Sequence, residues 1–458
     1  MTLAPAGRER ALAYTLAAAR TALCAWRAAH QSITIDEAHT FNFYVTGPWS
    51  SYYARYIAHN HVLFSLLARL SVDLFGTSEL ALRLPIVIAG FFLVTGAFAV
   101  LELSVPRAIR WIAIVALSLQ PLLLDFSVAA RGYGLGLALL VWAMYFGMRA
   151  RYVLTGVLLG LAISAQLSMA VPAMAMILAT VLLTRRIRPA VIVGALGGVI
   201  AFAICAVPLH LAPFKSFNYG YRTLRESLFS LVFPSTTDRA GLFIITHRAG
   251  VTAEILVVLL IAGFLAIQTV RELFQKPGPA FLAPFAFLIS STAVVAAHYL
   301  VGANYPVDRT GLYLILLFGL SWPIVVAGLE SIWYRRLHLV LGCLFAIQFA
   351  VQFDAGSFRV WKFDRDTRHV AEILKQQCEG KPENSVTVSV VWINQQALEY
   401  YRRTLPIPAL RPLEFHDPPT LSGYDFYVLN TFPVVRPPGE LRVLFAGSES
   451  GIILAKNK

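Results

Sequence analysis

The stretch "LRLPIVIAGFFLVTGAFAVLEL", Leu82–Leu103, decides what kind of molecule this chain is. From Leu84 to Leu101 no charged residue occurs. A bilayer core about 30 Å thick needs roughly 20 mostly apolar residues per helical span, so the stretch reads as a membrane-crossing helix. Similar windows recur on both sides of it. They run approximately Ala11–Ala29, Ala108–Leu124, Gly132–Met148, Val153–Gln166, Ala170–Leu183, Val191–Leu211, Val251–Val270, Phe281–Leu300, Leu312–Leu329 and Leu337–Phe353. The whole chain, 458 residues, is 57% hydrophobic and 14% charged, too apolar for an ordinary soluble enzyme. The expected fold is an all-α polytopic membrane protein with about 11 transmembrane helices.

A net charge of +13 raises the question of nucleic acid, but the placement of the charge excludes it as a partner. Membrane proteins concentrate Lys and Arg in cytoplasmic loops. Here basic residues cluster at every second helix end: Arg8 and Arg10, Arg107 and Arg110, Arg149 and Arg151, Arg185, Arg186 and Arg188, Arg271 and Lys276, Arg335 and Arg336. This alternation puts the amino terminus in the cytoplasm and the segments of about 32–80, 212–250 and 354–458 across the membrane. The basic then apolar first 30 residues are interrupted by Arg20 and Arg27, so the first helix is expected to stay rather than be cleaved. Cys24, Cys205, Cys343 and Cys378 are scattered and have neither disulfide nor metal spacing.

Residues 1–353 form the expected membrane domain and residues 354–458 a small extracytoplasmic α/β domain. In the latter, "DTRHVAEILKQQC" and "NQQALEYYRR" carry helical patterns, while "VTVSVVW", "DFYVLN" and "LRVLFAG" read as strands. No Gly-rich phosphate loop occurs there. Within the first outer loop, Val62, Leu63, Leu66, Leu67, Leu70 and Leu74 recur at helical spacing around Arg69 and Asp73. That pattern fits either an amphipathic helix in the membrane interface or a packed loop helix. Gly156 to Gly160 and Gly194 to Gly198 have the spacing that lets membrane helices approach closely.

Three places could carry chemistry. The first is "SITIDEAHTFNFY", Ser32–Tyr44, where Asp36 and Glu37 stand side by side beyond the first span, either as solvated acids or as a reactive pair. His39 follows, and "AHNHV" supplies His59, Asn60 and His61, so a divalent metal ion is a further possibility, although no compact ligand motif appears. The second is "SVAARGYGL", where Arg131 and Tyr133 open a span. An ionisable residue at the bilayer boundary is a functional candidate or a snorkelling side chain. The third is "YPVDRTGLYL", where Arg309 enters a span either as an anion ligand or as the partner of Asp308. Lys215, Arg222, Arg225 and Arg239 add positive charge to an outer loop where the topology rule does not require it.

Taken in order, the outward Asp-Glu, the "HNHVLFSLLARL" helix, the "FGTSELALRLPIVIAGFFLVTG" entry, the "SVAARGYGL" turn and "YPVDRTGLYL" resemble the GT-C superfamily of integral-membrane glycosyltransferases. The likeness is to bacterial proteins similar to protein O-mannosyltransferases and aminoarabinose transferases, and it covers roughly residues 30–330. It implies transfer of a sugar from a polyprenyl phosphate carrier to a lipid, glycan or protein acceptor on the outer face of the bacterial inner membrane, usually with inversion. It also implies Asp36 as general base, Glu37 as orienting the acceptor or helping hold a metal, and Arg131 and Arg309, with Lys215 and Arg222, as ligands of the donor phosphate. Two features depart from the family's pattern. Arg20 sits near the middle of the first span, and His59-Asn60-His61-Val62 stands where many relatives have His-Pro-Pro.

Two other readings compete. A transporter or flippase for a lipid-linked anion would use the same arginines without a base, but should show broken spans in corresponding halves. A non-catalytic assembly protein would tolerate loss of Asp36.

Overall fold

In the computed structural model, the described residues are 6–53, 60–210, 219–236, 248–275, 277–416, 422–431 and 440–458. Helices α1 (Ala6–His30) and α2 (Ile35–Thr40) are followed by a π-helical turn, Phe41–Val45, and then by α3 (Val62–Phe75) and α4 (Glu79–Glu102). Helices α5 (Arg107–Leu119), α6 (Pro121–Asp125), α7 (Gly132–Met148), α8 (Tyr152–Ala165), α9 (Ala170–Thr184) and α10 (Ile187–His210) come next. They are followed by α11 (Leu224–Thr236), α12 (Arg248–Leu273), α13 (Leu282–Val301), α14 (Leu312–Ala327) and α15 (Ile332–Val351). Among the described residues, each apolar window read from the sequence falls mainly on helix.

Among the described residues, 7 helices are long and apolar enough to cross a membrane, α4 among them, and the apolar α7 and α8 are shorter. The chain is a multi-pass membrane protein. The Ala108–Leu124 window is broken at Gln120, because Pro121 has no N–H to continue the ladder and starts α6 instead. Large apolar side chains remain exposed on the bundle, such as Phe202 on α10 and Leu260 on α12, as expected where the surrounding solvent is lipid.

The chain divides into two compact units. The first comprises Met1–Cys24, Tyr53–Phe64 and Pro85–Phe353. In it α8 packs against α7 and α10, α13 against α9 and α14, and α15 against α5. The α8–α10 contact explains Gly156 and Gly160. A Cβ on Gly160 would lie 2.7 Å from the Gly197 carbonyl oxygen, and one on Gly156 would lie 2.9 Å from that of Val193. Gly194 and Gly198 are not at this close approach; Gly197 is the small residue that α10 presents. Basic residues gather at shared helix ends. Arg10 pairs with Glu102, Arg107 and Arg110 pair with Glu9, and Arg185 donates to the Leu273 carbonyl.

Arg20, buried in the first unit, is accounted for by the break at Pro121. It donates to the Ser118 carbonyl at 2.9 Å, the Leu123 carbonyl at 3.1 Å and Ser127 Oγ at 2.9 Å. Helix ends leave carbonyls without helical partners, and a buried guanidinium is tolerable where it satisfies them. Replacing Arg20 with Leu is therefore expected to take from the Ser118 carbonyl its side-chain donor, the Leu123 carbonyl keeping Ser127 Oγ at 2.7 Å, and to lower the detergent melting temperature at a cost of about 1–3 kcal/mol. An unchanged melting temperature would exclude this role.

The second unit comprises Ala25–Tyr52, Ser65–Leu84 and Asp354–Lys458. Its carboxy-terminal part holds α16 (Thr367–Gln377), β1 (Val388–Val391), α17 (Trp392–Thr404), β2 (Glu414–His416), β3 (Phe426–Asn430), β4 (Leu441–Ala446) and β5 (Ile452–Asn457). These strands form one sheet in the order β2-β1-β3-β5-β4. β1 runs parallel to β2 and β3, while β5 runs antiparallel to β3 and β4. The α/β character expected from the sequence is present, and β2 and β5 are additional strands.

Candidate active site

The acid pair lies in the second unit, on a segment whose conformation follows from its residues. α1 stops at His30, residues 32–34 carry no regular structure, and Thr34, in extended conformation, caps α2. Thr34 Oγ1 accepts the Glu37 N–H at 3.3 Å, while Glu37 Oε2 accepts the Thr34 N–H at 2.9 Å, a reciprocal capping box. Asp36 occupies the turn between them and is 5% exposed.

Glu37 is completely buried and forms a bidentate ion pair with Arg83 of α4. Arg83 Nε donates to Glu37 Oε1 at 2.8 Å and Nη2 to Oε2 at 2.7 Å. The remaining guanidinium N–H groups donate to the carbonyls of Ala28, Gln31 and Ser32 at 2.8–2.9 Å. Every donor of Arg83 is thereby used, and two planar groups meet in the fork geometry that suits a buried pair. Sequence reading quoted Arg83 within a motif and gave it no role. The signal was an arginine in the first turn of an apolar span.

A third carboxylate joins this unit from the chain's far end. Asp364 Oδ2 accepts the Ile35 N–H at 2.7 Å, and Asn394 Nδ2 lies 3.4 Å from Oδ1. Burial pushes the Asp364 carboxyl well above the usual carboxylate range. The charges of Asp36 and Glu37 push the same way, and the Ile35 N–H and Asn394 oppose them. The folded protein thus holds a proton that the unfolded chain releases near pH ~3.9. This contribution favours folding at low pH and is lost as pH rises toward the raised folded value. Detergent melting curves across pH are expected to show that slope in the wild type and its loss in Asp364→Asn; identical pH profiles would contradict it.

His39 stacks on Phe43 with ring centroids 4.3 Å apart, and Asn42 Nδ2 donates to the Gln396 carbonyl and Oε1 at 3.2 Å. Among the described residues no group of three or more His, Cys, Asp or Glu side chains is placed to hold a metal ion. Of the histidines considered for one, His39 lies in the second unit and His61 in the first, while His59 lies outside the described residues.

The other candidates that can be placed belong to the first unit: Asn60, His61, Arg131, Tyr133, Arg222 and Arg309. The "SVAARGYGL" turn is tight because Gly132 faces backbone. A Cβ there would lie 1.8 Å from the Ala165 carbonyl oxygen and 3.0 Å from His61 Cβ. This brings the turn, the end of α8 and His61 together, and Tyr133 packs its ring 5.1 Å from those of both His61 and Phe126. Arg131 precedes α7 and is 2% exposed. A backbone bridge between Tyr221 and Tyr305 sets the exposed Arg222 segment against the one entering α14. There Arg309 lies 3.4 Å from Asp308 and 5.2 Å over the Tyr219 ring. Asp308 itself has φ +28°, a costly conformation for a residue with a side chain. Lys215 lies outside the described residues.

The first unit also contains an apolar cavity of about 370 Å³. Its walls include Ile112, Leu117, Leu231, Leu259, Phe318 and Trp322.

No protein-family model matches the chain, and no curated protein sequence matches it. Solved structures do. ArnT from Cupriavidus metallidurans in the apo state superimposes with a TM-score of 0.55 at 12% identity, over 97% of each chain. The same enzyme bound to undecaprenyl phosphate gives 0.55 at 13% identity, again over 97% of each chain. The chain has the GT-C glycosyltransferase fold. The likeness runs through the carboxy-terminal sheet as well as the helices, since it covers 97% of each chain.

Proposed function

We propose that this protein is a membrane glycosyltransferase that moves a sugar from a polyprenyl phosphate carrier to an acceptor on the outer face of the membrane, with inversion and with Asp36 as general base. The observation that carries the reading is a buried Asp36 on a turn fixed by the Arg83–Glu37 pair, in a fold shared with an enzyme solved with undecaprenyl phosphate bound. An acceptor hydroxyl attacking the anomeric carbon must lose its proton, and a positioned carboxylate takes it. The polyprenyl phosphate leaves as a stable anion and needs no general acid. Cationic side chains in a low-dielectric site lower its developing charge, and Arg131 and Arg309 are assigned that role, with Lys215 and Arg222 as further candidates. Glu37 is assigned to positioning, since Arg83 and the Thr34 N–H occupy its oxygens. The apolar cavity supports a hydrocarbon-bearing donor.

The basic helix ends go to the cytoplasm by the charge rule, which puts Asp36 and the carboxy-terminal α/β region outside. In bacteria this is the inner membrane. The acceptor class is a lipid, glycan or protein.

The test uses proteoliposomes containing the purified protein, undecaprenyl phosphate-linked pentose and hexose donors labelled in the sugar, and envelope extract as acceptor. Label is expected to leave the carrier and undecaprenyl phosphate to accumulate. Donor that crosses the bilayer intact would establish a flippase instead.

A further inference from the structure

The backbone from Ala28 to Glu37 is gripped from two directions within the second unit. Arg83 takes the carbonyls of Ala28, Gln31 and Ser32. The amide side of the same segment is held by residues more than 300 positions away. Tyr401 Oη accepts the Ile33 N–H at 2.9 Å, and Asp364 Oδ2 accepts the Ile35 N–H at 2.7 Å. One residue before the first of these bonds, Ser32 Oγ donates to the Arg365 carbonyl at 2.6 Å and accepts the Arg368 N–H at 3.2 Å. Further back, Gln31 Nε2 donates to the Ala355 carbonyl at 2.9 Å.

Asp364 is itself held from the sheet. Asn430, at the end of β3, donates through Nδ2 to Asn394 Oδ1 at 3.0 Å, and Asn394 of α17 reaches the Asp364 carboxyl. All three are buried, as is Tyr401. Buried polar groups arranged in series transmit position because each has one satisfying geometry and a high cost for leaving it. The series ends on the amide directly before Asp36.

We infer that the carboxy-terminal α/β region is a positioning device for the candidate base, and that Asp364 and Tyr401 are positioning residues that fix the approach of Asp36 through the Ile35 and Ile33 amides. This rests on the reading of Asp36 as base and adds to it a function for the terminal region. Catalysis is sensitive to such support, since a misplacement of about 1 Å can cost roughly 10²-fold. The chemistry requires an oxygen acceptor at position 364 and at the Tyr401 hydroxyl, with no need for charge.

The experiment compares full-length wild type, Tyr401→Phe, Asp364→Ala and Asp364→Asn. It measures amide hydrogen exchange of the peptide covering residues 31–36 and steady-state turnover of an undecaprenyl phosphate-linked donor. Tyr401→Phe and Asp364→Ala are expected to raise exchange in that peptide and lower kcat by about 10- to 100-fold with donor KM unchanged. Asp364→Asn, which keeps an oxygen for the Ile35 N–H, should restore protection and most of the lost kcat. Unchanged exchange at residues 31–36 in Tyr401→Phe overturns the inference, as does raised exchange with wild-type kcat. If Asp364→Ala does not fold, Tyr401→Phe, which removes one hydroxyl, still decides. An active Asp36→Asn protein would refute the base assignment alone and leave the exchange result standing.

Discussion

Asp36→Asn is expected to lower sugar transfer by roughly 10²–10⁴-fold, with the protein still folded and still able to bind the donor lipid. The amide is nearly isosteric with the carboxylate, so it preserves the turn between Thr34 and Glu37, whose capping box uses neither Asp36 oxygen. What it removes is the capacity to accept the proton of the attacking hydroxyl. A loss confined to kcat, with donor KM within about twofold of wild type, is the signature of a group needed in the transition state and not for binding. Glu37→Gln should behave differently. Its oxygens face Arg83 and a backbone amide, so the change leaves a buried guanidinium without its counter-charge and acts first on folding. The discriminating measurement is turnover per folded molecule, with the folded fraction taken from size-exclusion profiles and melting curves in detergent. Wild-type turnover in Asp36→Asn would remove Asp36 from the chemistry.

Much of the architecture was legible because a bilayer makes hydropathy nearly sufficient. The apolar windows became helices, one of them split at Gln120 into two, and the charged, β-branched sequence after Phe353 reads as an α/β region. The strands β2 and β5 were missed for local reasons. Glu414–His416 is too short to show a period, and Ile452–Asn457 owes its place to pairing with β3 and β4. Arg20 resisted reading because its acceptors, the Ser118 and Leu123 carbonyls and Ser127 Oγ, lie about 100 residues away around the helix break at Gln120. At the candidate site, the two acids stood out as charge beside an apolar helix. The support around them did not. Asp364, Asn394 and Tyr401 look like ordinary residues of an amphipathic segment, and nothing in a one-dimensional pattern brings them to residues 33–35.

Arg83 carries the second large expected effect. Arg83→Ala removes one partner of a fully buried ion pair, leaving the Glu37 carboxylate without its counter-charge and the carbonyls of Ala28, Gln31 and Ser32 without the guanidinium donors. Breaking such a pair costs about 3–5 kcal/mol, which is comparable to the whole stability of many domains. Poor recovery of folded protein is therefore expected, and activity should fall with it. Arg83→Lys should be almost as damaging, because an ammonium offers three donors from one point where five bonds in a planar fork are present. The double variant Arg83→Met, Glu37→Gln separates two causes. If the damage comes from a stranded charge, removing both charges should recover part of the melting temperature, since buried pairs replaced together by neutral groups are often close to neutral in stability. The freed carbonyls of residues 28–32 would remain unsatisfied, so recovery should be incomplete and transfer should stay low even where the protein folds. Equal melting temperatures for Arg83→Ala and wild type would show that the pair contributes nothing to holding the turn on which Asp36 sits.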